Sequence, residues 1–218
     1  MRDVHEPLLE VRGIKTQFRT QEGIDRTYLD DISFRVYPGE ILALVGESGS
    51  GKSLTSLSIM GLLSQNGNVA AGEILFDGVD LRQLSEEQLD DYRGNRISMI
   101  FQDALTSLNP SFTIGNQIVE SLRVHKGYKR REAKERALQL LTRVGLPSAK
   151  EIYNEYPHTL SGGMRQRVMI AIALACSPDL LIADESTTAL DVTIQAQIMR
   201  FFRELRDEEG MSIILITH

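Results

Sequence analysis

Residues 46–53 read Gly46-Glu47-Ser48-Gly49-Ser50-Gly51-Lys52-Ser53, a complete G-x-x-x-x-G-K-[ST] pattern. Its glycines let backbone N–H groups turn inward around phosphate oxygens. The apolar run Ile41-Leu42-Ala43-Leu44-Val45 enters the pattern as a buried parallel strand would, and residues 52–63 leave it as a helix. A helix N-terminus adds the positive end of its dipole. Lys52 is placed to reach the β- and γ-phosphates of ATP, and Ser53 to offer its hydroxyl to Mg²⁺. A chance glycine-rich turn would lack this strand-and-helix frame.

A second constellation follows the apolar run Leu180-Leu181-Ile182-Ala183, which ends in Asp184-Glu185. Ligands bind at the C-terminal ends of strands in open α/β sheets. There Asp184 can hold Mg²⁺, directly or through water, and Glu185 can orient and deprotonate an attacking water. Taken alone, the pair reads equally as an acidic cap on the next helix; the phosphate loop tips the balance. Gln102 follows a strand-like stretch at 96–101, where a neutral amide can touch both Mg²⁺ and the lytic water. His218 ends the apolar stretch 211–217 and can contact the γ-phosphate.

Leu160-Ser161-Gly162-Gly163-Met164-Arg165-Gln166 opens a third helix. Ser161 has the chemistry of an N-cap, and the glycine N–H groups at the dipole end form an anion site. One chain cannot easily bring two such sites to one nucleotide from opposite edges. A head-to-tail dimer solves this, with each chain's Ser161-Gly162-Gly163 covering the nucleotide of the other. Phe18 and Tyr28 precede the loop, and either can stack on adenine; Phe18 is the preferred candidate.

Around these residues the chain has ordinary globular character. It has 218 residues, 42% hydrophobic, with net charge −6, so no global basic field draws it to nucleic acid. Lys126, Lys129, Arg130 and Arg131 form a short basic cluster, blunted by Glu132 and Glu135, and read as a solvated helix start. The single cysteine, Cys176, fits a buried apolar position and a reducing compartment. No segment reaches the roughly 20 apolar residues of a membrane span. Residues 1–9 carry Asp3, His5 and Glu6 and lack a signal-peptide core.

Residues 8–14 and 27–36 alternate as strands of an outer antiparallel sheet, and 37–40 form a turn. Further strands are expected at 72–76, 96–101, 180–183 and 211–217. Between 103 and 177 the pattern changes to helices. Residues 129–144 place Ala133, Ala137, Leu138, Leu140, Leu141 and Val144 at helical spacing, and 192–209 form the helix before the last strand. The expected architecture is one α/β domain, with 1–102 and 178–218 as core and 103–177 as a helical subdomain.

With these residues in view, the chain resembles the ATPase subunits of ABC transporters, and within them the dipeptide, oligopeptide and nickel importers. The resemblance rests on residues 45–53, 99–118, 155–178 and 180–198, and it covers essentially the whole sequence. It implies a P-loop NTPase cassette with a parallel core sheet, an N-terminal antiparallel β subdomain and an inserted helical subdomain. It also implies ATP and Mg²⁺ as cofactors. By position, the family's phosphate loop falls on Gly46 through Ser53, its Q-loop glutamine on Gln102, and its signature on residues 160–166. Its Walker B aspartate falls on Asp184, its catalytic glutamate on Glu185, its D-loop on Ala189-Leu190-Asp191, its switch histidine on His218 and its adenine-stacking aromatic on Phe18.

The implied partners are a second ATPase subunit, two membrane permeases and, indirectly, a solute-binding protein. The implied location is the cytoplasmic face of the membrane. Three departures stand out. Ser186 and Ala104 stand where the family usually has Pro, and the chain stops at His218 where related subunits continue. The last of these implies a C-terminally truncated chain. Two rival readings stay open at this stage: a soluble ABC ATPase outside transport, and a nucleotide-binding module without turnover.

Overall fold

The computed structural model describes residues 6–102, 107–184 and 192–217. Ala104, Glu185, Ser186, residues 189–191 and His218 lie outside the described residues. The chain begins with β1 (Leu9–Arg19), β2 (Asp25–Val36) and β3 (Ile41–Val45), then α1 (Lys52–Met60), β4 (Gly67–Phe76) and β5 (Val79–Asp80). Next come α2 (Glu86–Asp90) and β6 (Ile97–Ile100), then α3 (Ile114–Lys126), α4 (Arg130–Arg143), α5 (Ala149–Ile152) and α6 (Gly162–Ala173). The last described elements are β7 (Leu180–Asp184), α7 (Val192–Glu209) and β8 (Ser212–Thr217).

Two four-stranded sheets result. The antiparallel one has the order β2-β1-β4-β5, and the parallel one β3-β8-β7-β6. Every residue of β7 is buried, because β6 and β8 flank it on both sides. Alternate side chains of a strand point to opposite faces. Accordingly Leu181 and Ala183 join the apolar cluster of helices α3, α4, α6 and α7, whereas Leu180 and Ile182 join the cluster beneath the antiparallel sheet and α1. Burying each such Leu or Ile contributes about 1.5–3 kcal/mol. The central strand thus fixes the position of Asp184 from both faces.

The sequence leads one to expect β3 to be buried like β7. Instead it lies at the end of the parallel sheet, paired with β8 alone among the described strands. None of its five residues is fully buried, and Val45 is 68% exposed. Its apolar run reflects one covered flank, not two. The turn before it is tied down through β8: Gly39 N–H donates to Ser212 Oγ at 3.0 Å, and Ile213 N–H donates to Glu40 O at 2.8 Å.

Strands β1 and β4 run longer than the alternation indicates. β1 passes Ile14 through irregular pairing between Val11 and Gln17, which breaks the period of two that a sequence scan detects. β4 contains Gly72 at φ +88°, where a Cβ would lie 2.5 Å from Arg12 O, so this crossing of β1 and β4 requires glycine. The helices follow the pattern closely. In α4, Ala133, Ala137, Leu140 and Leu141 are buried, with Lys129 and Val144 as the caps. α1 stops at Gly61, whose φ of 63° places it in the left-handed region usual after a helix.

Candidate phosphate-binding site

The loop between β3 and α1 closes around one ammonium group. Lys52 Nζ donates to Gly46 O at 2.6 Å and to Glu47 O at 2.9 Å. A phosphate arriving here would meet a cation already centred on the loop. Gly49 and Gly51 have φ of +81° and +95°. Gly51 is the N-cap of α1 and carries no side-chain cap, so no side chain of the cap competes for the first N–H groups of the helix. A Cβ at Gly51 would approach Leu29 to 2.5 Å. Leu29 sits on β2, so the antiparallel sheet packs directly behind the loop.

Behind α1, Thr16 Oγ1 and Ser58 Oγ share a buried hydrogen bond of 2.9 Å that joins β1 to the helix. Sequence reading missed both this tie and the Leu29 contact. Neither has a motif; both arise from the fold bringing distant residues together.

The second strand end meets the loop directly. Ser53 Oγ donates to Asp184 Oδ1 at 2.9 Å, across 131 positions of sequence. Asp184 is buried at the C-terminal end of β7. A hydroxyl and a carboxylate oxygen in contact beside a phosphate loop are the hard donors that Mg²⁺ prefers. The parallel pairing of Ile100 with Ala183 brings the end of β6 beside Asp184, and Gln102 follows two residues later at that same edge. Gln102 is exposed.

Ser161 caps α6: its Oγ accepts from Met164 N–H at 3.3 Å. Gly162 is exposed, and among the described residues outside its own helix backbone no atom lies within 4 Å of where its Cβ would stand. Phe18 lies on β1 opposite Arg26 and Gly67, and a Cβ on Gly67 would come within 2.6 Å of its ring. Tyr28 meets the Phe18 ring edge-on at 5.3 Å and is 61% exposed. The two adenine candidates therefore form one aromatic pair. Burial pushes the Cys176 thiol up, and its Sγ donates to Ser121 O at 3.6 Å, as a packed residue of the helical layer does.

A glycine loop wrapped around a lysine, with a serine-to-aspartate bond joining it to the central strand, defines a nucleotide-phosphate-binding α/β cassette. The family model described as ABC transporter matches residues 29–188. The chain belongs to the ABC transporter family. It is 55% identical over 213 residues to the oligopeptide transport ATP-binding protein AppD of Bacillus subtilis, covering 97% of this chain and 64% of AppD. It is 54% identical over 219 residues to a protein of Brucella melitensis named as a peptide import ATP-binding protein, BMEII0863, covering 98% of this chain. The chain spans 64% of the length of each of these relatives.

Among solved structures, the dimeric ATP-binding cassette MJ0796 in a post-hydrolysis state with ADP and Pi superposes with a TM-score of 0.86 at 28% identity. That match covers 96% of this chain and 88% of MJ0796. CbiO1 of Clostridium perfringens, part of the ABC transporter complex cbiONQ, gives 0.78 at 27% identity, covering 98% of this chain and 79% of cbiO1.

Proposed function

We propose that this chain is the ATP-hydrolysing part of an importer for di- or oligopeptides, with nickel as a second solute class. The observation that carries the reading is the Ser53–Asp184 bond, because it joins the phosphate loop to the acidic strand end in one site. The names of AppD and the Brucella protein support peptide import. Lys52 neutralises the terminal phosphates, Ser53, Gln102 and Asp184 hold Mg²⁺, and Glu185 activates water with His218 beside it. Bound Mg²⁺ supplies charge neutralisation at the transferred phosphoryl group.

The working unit in this reading is a head-to-tail dimer, with a second copy or a sister ATPase. Ser161, Gly162 and Gly163 of one chain then cover the ATP held by Gly46 through Ser53 of the other, with Phe18 against its adenine. The open α6 N-terminus supports this, and so does the dimeric form of MJ0796. Residues 1–102 and 178–218 act as core and 103–177 as a helical subdomain. That subdomain docks on two membrane permeases at the cytoplasmic face, fed by a solute-binding protein. A cleft of about 250 Å³ supports the docking, lined by Met60, Leu62, Leu108, Met169, Ile172 and Phe101, the residue before Gln102. Among the described residues no helix is long and apolar enough to cross a membrane.

The test is Mg²⁺-dependent ATP hydrolysis by the full-length protein, followed by cross-linking of cysteines placed at 105–118 to permease loops. Turnover and cross-links whose yield differs between ATP and ADP support the proposal. ATP binding without turnover favours a regulatory module, and cross-links confined to β1 and β2 contradict the docking.

A further inference from the structure

Arg167 stands on α6, six residues after Ser161, and reaches two other helices at once. Its Nη1 donates to Val144 O, the C-cap of α4, at 2.5 Å. Its Nη2 donates to Gln197 Oε1 on α7 at 2.6 Å. A cavity of about 210 Å³ lies at this junction, with Ile170, Ile198 and Phe201 in its lining. The polar arm thus spans a gap that apolar packing does not close. Gly145 makes room for it: its φ is +76°, and a Cβ there would lie 2.8 Å from Nη1. A planar guanidinium offers two fixed donors for two acceptors, which an ammonium does not. At the far end of α7, Arg143 pairs with Glu209, so the helix is tied to α4 there as well.

The placement of the two bridged helices gives the arm its meaning. In sequence, α7 follows after seven residues on Asp184, the residue bonded to Ser53 of the chain's own phosphate loop. α6 begins at the signature, which in the dimer reading covers the other chain's nucleotide. We propose that Arg167 is a positioning residue that couples the two nucleotide sites of the dimer. A shift at the end of β7 moves α7, Gln197 passes it to Arg167, and α6 carries it to Ser161-Gly162-Gly163. The inference rests on the dimer reading. It requires neither Arg167 nor Gln197 to touch nucleotide.

The experiment measures ATP hydrolysis against ATP concentration for the full-length parent, Gln197→Leu, Gln197→Glu, Arg167→Lys and the Gln197→Leu/Arg167→Lys pair. Gln197 is exposed, so its variants test the bridge without disturbing the core. The parent should show a Hill coefficient above one. Gln197→Leu and Arg167→Lys should each lower kcat by about five-fold or more, the lower end of ordinary site-to-site coupling, and bring the Hill coefficient towards one. Affinity for a fluorescent ATP analogue on the isolated monomer should stay at the parent value.

The double variant should be no worse than either single one, since both cut one link. Gln197→Glu keeps an acceptor and should behave as the parent. If Gln197→Leu retains the parent's kcat and Hill coefficient, the coupling role is wrong while the dimer reading stands. A parent that hydrolyses ATP with no cooperativity also removes the coupling role, while a parent that stays monomeric at saturating Mg-ATP removes the dimer reading on which it rests.

Discussion

Two helix N-termini in this molecule are proposed to receive anions, and they are built in opposite ways. The α1 start is braced by its own chain, and enclosed in that sense, although residues 47–50 are exposed: Gly51 adopts a left-handed conformation against Leu29, and Lys52 is held by two loop carbonyls. The α6 start is open: Ser161 caps it with its own hydroxyl, Gly162 is exposed, and among the described residues none would meet a Cβ placed on it. The enclosed site is pre-formed by its own chain, so binding spends little on ordering the loop. The open site has one N–H already satisfied and no wall to exclude water, so it gains affinity only when a second surface closes on it. In the proposed dimer, the difference means that one half of the nucleotide site is finished within the chain and the other half awaits a partner.

The largest effects should come from breaking the enclosed side. Glu185→Gln should keep ATP binding and lower turnover by about 100-fold or more, as loss of a general base does. Lys52→Ala should weaken binding and turnover together, read by nucleotide titration and phosphate release. Parental hydrolysis by Glu185→Gln would reassign the base.

A matched pair of glycine substitutions sharpens the contrast. Gly51→Ala forces a Cβ into Leu29 at a left-handed position, so it should lower the melting temperature and abolish loop binding. Gly162→Ala meets no atom and no backbone strain, so melting and monomer binding should match the parent while ATP-dependent dimerisation falls. Equal thermal losses in the two variants would erase the distinction. Ser161→Ala should cost about 1 kcal/mol of stability through the lost cap, measured by denaturant unfolding.

The smallest expected effect lies away from both sites. Glu10 bonds to Arg12 and Arg35 at 2.6 Å each, and these partners hold its carboxyl below the usual carboxylate range. Its contribution is therefore present above the ordinary carboxylate pKa and is lost as pH falls through the lowered folded-state value. Glu10→Gln should lower stability slightly at neutral pH and leave it near the parent value at the most acidic pH, so the acid side of the stability curve flattens.

The contrast also marks what the sequence could disclose. The strand–loop–helix frame around Gly46 through Ser53, the strand end at Asp184 and the helix cap at Ser161 are legible because their residue types and spacing specify those local structures, and α4 because its apolar positions keep a helical period. The burial of β3 was misread because a continuous apolar run does not reveal whether a strand has one neighbour or two. The lengths of β1 and β4 were underestimated because irregular pairing and glycines interrupt the alternation. Leu29 behind Gly51, Thr16 on Ser58 and Arg167 on Gln197 carry no local signal; each exists only once the layers are assembled.

The central claim is that the enclosed loop and the open signature complete each other across two chains. Sedimentation of the full-length Glu185→Gln variant tests it most directly, since that variant is expected to retain ATP without consuming it. The account predicts a monomer without nucleotide and a dimer with saturating Mg-ATP, lost again on Gly162→Ala. A strict monomer at saturating Mg-ATP would contradict it.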